Sequence, residues 1–370
     1  QEVEHKPGYL PNDEVYSFDA SYTDQTLELL AFSEEISNQP TITEFTKVDL
    51  TGGQEIEGAK MQILDQEGKV VEEWVSKKEA HVVYALAPGE YILHEEQAPT
   101  EQGYVRAEDV KFVVEETGDV QKVKMEDDHT KVSISKTDIT DGKEIEGAKL
   151  QILDQDGEVV ESWTTGEEHL IEYLPVGTYT LHEEAAVDGY IVANDVEFTV
   201  EETGEIQKVK MEDERAMGQL VIVKTDTDSK AALEGVEFVL LEKETGKEVG
   251  RLKTGKDGKA VSELLPIGTY ENGVFKEPIT YVLKETATLK GYEKTEEEWE
   301  IVFTYQNDKT PVIEVVKEIQ NKKIPETPGT VKPGPKTGDD TNWFLPLLAL
   351  GVSAGMVAGL LYYRKRHKKA

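Results

Sequence analysis

The stretch Lys131-Val132-Ser133-Ile134-Ser135-Lys136-Thr137-Asp138 reads as a β-strand in which Val132, Ile134 and Lys136 share one face. A lysine in line with core residues is a costly choice. A buried charge without a partner must neutralise, pair or react. Two later segments repeat the pattern: Glu183 follows Tyr179 and Leu181 in one parity, and Asp213 follows Val209 and Met211. One amine and two carboxyls from distant strands are therefore expected in one core. The set recurs on either side, as Lys47, Glu95 and Asp127, and as Lys224, Glu285 and Asn321. The pattern is thinner for Lys47, whose strand has only Phe45 on its apolar face. It is doubled for Lys224, because Val221 and Val223 make the other face apolar too.

These sets belong to internal repeats. Gly58-Ala59-Lys60-Met61-Gln62-Ile63-Leu64-Asp65-Gln66 returns as Gly147-Ala148-Lys149-Leu150-Gln151-Ile152-Leu153-Asp154-Gln155, and Val114 to Met125 returns nearly unchanged as Val200 to Met211. A more divergent third unit keeps Gly235-Val236-Glu237-Phe238 and Pro266-Ile267-Gly268-Thr269-Tyr270. Short alternating runs between turn signals such as Glu116-Thr117-Gly118-Asp119 give an all-β reading of tandem β-sandwiches over 41–129, 130–215 and 216–323. Asp24 to Phe32 has only a weak helical look. Residues 1–40 read as the last strands of a preceding unit, because 29 positions separate Tyr9 from Asn38 and Tyr292 from Asn321 alike. On that expectation the front half of the unit, with the lysine that Asn38 would accept, lies upstream of Gln1.

A net charge of −35 argues against nucleic acid as a partner. There is no cysteine, hence neither disulfide nor thiol nucleophile. The seven histidines have no metal-site spacing, and Asp138 to Asp141 and Asp226 to Ser229 lack the ligand order of a calcium loop. No metal, cofactor or turnover enzyme is expected.

The end of the chain differs in composition. Residues 324–340 are rich in Pro, Gly and Thr and read as an extended linker. Residues 341–363 contain an uncharged run from Trp343 to Tyr363, about 30 Å long if helical, and 364–370 are basic. That order puts the C-terminus in the cytoplasm and the repeats outside. Pro335-Lys336-Thr337-Gly338 precedes the span, and the three parts together resemble the sorting signal of Gram-positive surface proteins. The resemblance implies cutting between Thr337 and Gly338 by sortase, and transfer of the threonine to an amine of peptidoglycan or of a pilin. Gly334 stands where the commonest motif has Leu.

The repeats themselves resemble the collagen-adhesin B-type, or SpaA-type prealbumin-like, pilin domain. The likeness rests on Ser135-Lys136-Thr137-Asp138, Gly147-Ala148, Tyr179-Thr180-Leu181-His182-Glu183, and Tyr281-Val282-Leu283-Lys284-Glu285-Thr286 followed by Gly291-Tyr292. It implies an intramolecular isopeptide bond from a first-strand Lys to a last-strand Asn or Asp, assisted by the Glu. The expected pairs are Lys47–Asp127, Lys136–Asp213 and Lys224–Asn321, with Glu95, Glu183 and Glu285 as catalytic groups. Physical chemistry supports this: an apolar pocket favours neutral amine and neutral acid, and a neutral Glu can shuttle the proton. The expected function is a wall-anchored stalk or minor pilin. The alternatives are an adhesin whose repeats bind host matrix, or a pilus shaft subunit, which would need a lysine in a Tyr-Pro-Lys context that this chain lacks. A host matrix ligand could also be bound by a region upstream of Gln1.

Overall fold

The computed structural model describes residues 2, 4–18 and 32–325. The sorting motif, the apolar run and the basic tail lie outside them, as does most of the segment from Asp24. No helix among the described residues is long and apolar enough to cross a membrane.

Each repeat faces a four-stranded antiparallel sheet against a sheet in which the first and last strands pair parallel, the third repeat adding a two-stranded sheet, and the fold is all-β. In the first repeat the strands are β1 (Ile42–Asp49), β2 (Lys60–Leu64), β3 (Val70–Val75), β4 (His81–Tyr84), β5 (Gly89–Gln97), β6 (Val110–Val114) and β7 (Val120–Asp127). They form the sheets β4-β1-β7 and β3-β2-β5-β6. Strand β1 buries Thr43, Phe45, Lys47 and Asp49 on one face, with Val48 the one buried residue of the other, so the face carrying the lysine is the core face. The β2–β3 turn forms because Asp65 Oδ1 accepts the Glu67 and Lys69 amides while Gly68 takes φ +80°.

The second repeat repeats this plan with β8 (Lys131–Asp138), β9 (Lys149–Leu153), β10 (Val159–Thr164), β11 (His169–Glu172), β12 (Gly177–Ala185), β13 (Tyr190–Ile191), β14 (Val196–Val200) and β15 (Ile206–Arg215). Its core joins Val132, Ile134, Leu150, Ile152, Leu181 and Met211. The third uses β16 (Met217–Asp226), β17 (Glu237–Glu242), β18 (Glu248–Lys253), β19 (Lys259–Val261), β20 (Leu265–Pro266), β21 (Gly268–Glu271), β22 (Val274–Pro278), β23 (Thr280–Ala287), β24 (Glu298–Val302) and β25 (Val312–Asn321). Here Leu220 and Ile222 are fully buried on the lysine's face, while Val221 and Val223 are only half-buried. The period-2 pattern thus resolves in favour of Lys224 pointing inward.

One pairing fixes the functional geometry. First and last strands run parallel and side by side: β1 with β7, β8 with β15, β16 with β25. A chain that enters along one strand and leaves along a parallel neighbour enters and leaves at opposite ends of the sandwich.

Candidate functional site

Within each parallel pair the register sets the lysine beside its acceptor. Lys47 pairs with Met125, Lys136 with Met211 and Lys224 with Ile319, so the acceptors Asp127, Asp213 and Asn321 each lie two residues further on. Two residues further on the adjacent strand is a diagonal same-face neighbour, about 7 Å away. A long lysine and a short Asp or Asn span that gap. In all three repeats Nζ contacts Oδ1 of the acceptor, and both partners are buried.

The glutamate comes from the facing sheet. Glu95 pairs with Met61, Glu183 with Leu150 and Glu285 with Phe238, and a β-bulge follows immediately in each strand. A bulge bends the strand and re-aims its side chains. Each Glu crosses the core to place Oε2 2.9, 3.0 and 2.9 Å from the respective Nζ. In the first two repeats Oε2 also accepts a backbone amide, from Ala107 at 2.8 Å and Ala193 at 2.6 Å. A cavity of about 10 Å³ beside Lys47, bounded by Phe45, Glu55, Trp74 and His81, is about the size of one water.

Protonation follows from burial. Asp127 is pushed up to about 7, mainly by burial, opposed by the Lys47 charge and reinforced by Glu95. Asp213 reaches about 7 for the same reasons, with Lys136 and Glu183 in those roles. Glu95 Oε1 and Asp127 Oδ2, like Glu183 Oε1 and Asp213 Oδ2, are buried without a hydrogen-bond partner, a want that a proton on one of the two carboxyls would relieve. Burial also lowers Lys224, against the pull of Glu285.

The third site is built differently. Asn321 Nδ2 donates to Glu285 Oε1 at 2.7 Å and to Thr288 Oγ1 at 2.7 Å. The glutamate therefore touches the amine through one oxygen and the amide nitrogen through the other. Every site residue expected in the repeats is thus brought into one of three matching clusters.

A family model for the SpaA prealbumin-like fold domain matches residues 41–129, 130–215 and 218–278, together more than half of the chain. The chain belongs to the SpaA family of prealbumin-like domains. Among solved structures, the Bacillus anthracis TIE protein is 28% identical with a TM-score of 0.52, over 76% of this chain. This chain spans about half, 51%, of that protein's length. BcpA, the major pilin subunit of Bacillus cereus, aligns at 15% identity and TM-score 0.43, over 76% of this chain and 99% of its own. A streptococcal ancillary pilin aligns at 16% and 0.31, over 77% and 99%. Comparison with curated proteins gives no match.

The third SpaA match stops before Glu285 and Asn321, yet β23 to β25 complete that repeat and carry both residues. Sequence reasoning missed Thr288, which has Ala98 and Ala186 at the matching distance after Glu95 and Glu183. It also missed a polar anchor two residues beyond each lysine. Asp49 accepts the Thr51 and Gly52 amides at 2.6 Å each, and the hydroxyl of Tyr173 from the next repeat at 2.8 Å. Asp138 takes the hydroxyl of Tyr190 at 2.7 Å and Arg215 Nε at 2.6 Å. Asp226 takes the Ser229 amide at 2.7 Å. The recurrent Lys-x-Asp spacing was the available signal, and the aspartates that resembled calcium loops are turn anchors. Among the described residues no acidic or histidine cluster suits a metal ion.

Proposed function

We propose that the chain is a wall-anchored stalk or minor pilin whose repeats lock themselves with one isopeptide bond each. The observation that carries this reading is the bridging glutamate. In each repeat it sits against the attacking nitrogen, and in the third its other oxygen also accepts from the amide nitrogen that must leave. Neutral Nζ attacks Cγ of the acceptor. The glutamate takes a proton from the nitrogen and returns one to the leaving atom, which departs as water from Asp127 and Asp213 and as ammonia from Asn321. Atoms balance, no cofactor is needed, and the event happens once per repeat. Preorganised contact supplies up to ~7–11 kcal/mol of effective concentration.

The bond's position suits a tether. It joins strands that the chain enters and leaves by, so tension applied to the ends runs through Lys47, the amide and Asp127. The 80-residue interval between them is bypassed. By analogy with a disulfide closing a similar loop, chain entropy contributes on the order of 4–5 kcal/mol per repeat. The Pro335-Lys336-Thr337-Gly338 motif adds sortase as the partner that joins Thr337 to a wall or pilin amine.

Intact mass of the purified chain tests the reading. Two condensations with loss of water and one with loss of ammonia lower the mass by about 53 Da in total. A mass equal to that of the uncondensed sequence would sink it.

A further inference from the structure

The motif Pro-x-Gly-Thr-Tyr occurs in the second repeat as Pro175 to Tyr179 and in the third as Pro266 to Tyr270, yet its two tyrosines part company. Tyr179 is buried in its own core, where its hydroxyl donates to the Pro175 carbonyl at 2.9 Å. In the third repeat that place belongs to Tyr281, which is buried and donates to the Pro266 carbonyl at 2.7 Å. The intervening chain forms most of the hairpin β21–β22, which the first two repeats lack. Tyr270 is thereby released from the core and carried onto the second repeat. Its hydroxyl donates to the Gly189 carbonyl at 2.8 Å, and its ring meets Tyr190 edge-on at 5.2 Å. The Arg215 guanidinium lies 4.2 Å over the ring's face. At the hairpin's turn Gly273 is buried against the Glu144 carbonyl, too close for any Cβ. Tyr305 and Asp308 add hydrogen bonds to the Tyr190 carbonyl and the Val192 amide, each at 2.9 Å.

The junction of the first and second repeats follows the same plan with less material. His129 and Arg215 each stand two residues after the last-strand aspartate, Asp127 or Asp213. His129 stacks on the Tyr173 ring at 3.9 Å, as Arg215 stacks on Tyr270. The Tyr173 hydroxyl reaches back to Asp49, as that of Tyr270 reaches back to Gly189. Tyr173 has φ +62°, a left-handed conformation that a bulky residue keeps only where its surroundings over-determine it. No hairpin reinforces this junction. The connections are short at both places: Asp128 to Thr130 separate β7 from β8, and Ala216 alone separates β15 from β16. A planar guanidinium on an aromatic face is a strong stacking pair that keeps its charge, which histidine does not.

We propose that the hairpin β21–β22 is a latch that clamps the third repeat onto the second, so that these two move as one rigid body. The joint to the first repeat, closed by Tyr173 without a hairpin, is the more pliant one. Bending the latched joint requires Tyr270 to leave Arg215 and Gly189, which returns the partly buried rings of Tyr270 and Phe275 to water. Neither Tyr270 nor Arg215 belongs to a lysine cluster, so the latch holds whether or not the lysines condense.

The chain has no cysteine, so introduced pairs carry spin labels without competition. Glu67, Asp156 and Lys247 are exposed in equivalent turns of the three repeats. Asp156→Cys with Lys247→Cys therefore spans the second junction, and Glu67→Cys with Asp156→Cys spans the first. Lys247→Cys with Glu314→Cys stays inside the third repeat as a control. Double electron–electron resonance on the full chain should give a narrow distance peak across the second junction and a broader one across the first. Tyr270→Ala should abolish the narrow peak and leave the first junction and the control unchanged. Tyr173→Ala should broaden the first junction alone. A second junction that is broad in the unaltered chain, or that stays narrow in Tyr270→Ala, overturns the latch. A first peak as narrow as the second overturns the contrast between the joints. If Tyr270→Ala also broadens the control, Tyr270 supports its own core as Tyr179 does, and the proposal fails.

Discussion

The second and third repeats place a lysine, a glutamate and an acceptor in the same three positions, yet they satisfy the acceptor differently. Asp213 carries two oxygens and no nitrogen, and its Oδ2, like Glu183 Oε1, is buried without a hydrogen-bond partner. Asn321 brings two N–H groups of its own, and both are matched, one by Glu285 and one by Thr288. Where the acceptor is an acid, the residue three after the glutamate is Ala98 or Ala186. Where it is an amide, that residue is Thr288. A buried donor left unpaired costs about 1–3 kcal/mol, so the acceptor and the residue that completes its hydrogen bonding must change together. On the proposed mechanism one proton-carrying glutamate serves two leaving groups, and the surrounding shell adapts to each.

The largest effect should come from removing what the two sites share. Glu183→Ala should leave the second repeat uncondensed, reducing the mass deficit by about 18 Da, and Glu285→Ala should do the same to the third by about 17 Da. Each loses the covalent closure of its loop and melts roughly 20–35 °C lower, from ~4.5 kcal/mol at 4–8 °C per kcal/mol. Differential scanning calorimetry on the single variants reads both. If one site kept its bond without its glutamate, the common mechanism would fail there.

Acidity should separate the two. Asp213 has a proton to lose and Asn321 does not. Condensation with loss of water needs the acid to hold its proton, which Asp213 gives up at about 7, and the carboxylate left at higher pH does not condense. The second repeat should therefore slow as pH rises above about 7. The third should rise as Lys224, already lowered by burial, loses its proton, and then stay level. Chain recovered from inclusion bodies in guanidinium chloride before any bond has formed, then diluted to each pH, gives the rates by peptide-resolved mass spectrometry. An alkaline fall in the third repeat would break the contrast.

What the alternation of residues could reveal was which side of a strand faces inward. Val132, Ile134 and Lys136 are all buried, as the period of two requires. The glutamates were legible for the same reason, but the bulge that aims each one across the core was not, because a bulge leaves no mark in a parity count. The Lys47 strand looked weak since its inward positions beside Phe45 are Thr43 and Asp49. Asp49 is buried with its hydrogen bonding met by the Thr51 and Gly52 amides and by Tyr173 of the following repeat, the last a contact between distant residues.

The smallest expected effect is the sharpest probe of the paired adaptation. Thr288→Val keeps the shape of the side chain but leaves one N–H of Asn321 without an acceptor. The amide can then rotate away from the orientation that sets Nδ2 on Glu285, at a penalty of about 1 kcal/mol, which slows condensation roughly fivefold without abolishing it. The reverse experiment belongs in the second repeat. Asp213→Asn should change the loss there from about 18 to about 17 Da and proceed slowly beside Ala186, and adding Ala186→Thr should restore a several-fold faster rate. Glu183 is untouched in both variants, so a difference between them reports the hydrogen bonding of the amide and not the proton carrier. Equal rates with and without Ala186→Thr would show that Thr288 is a passive neighbour.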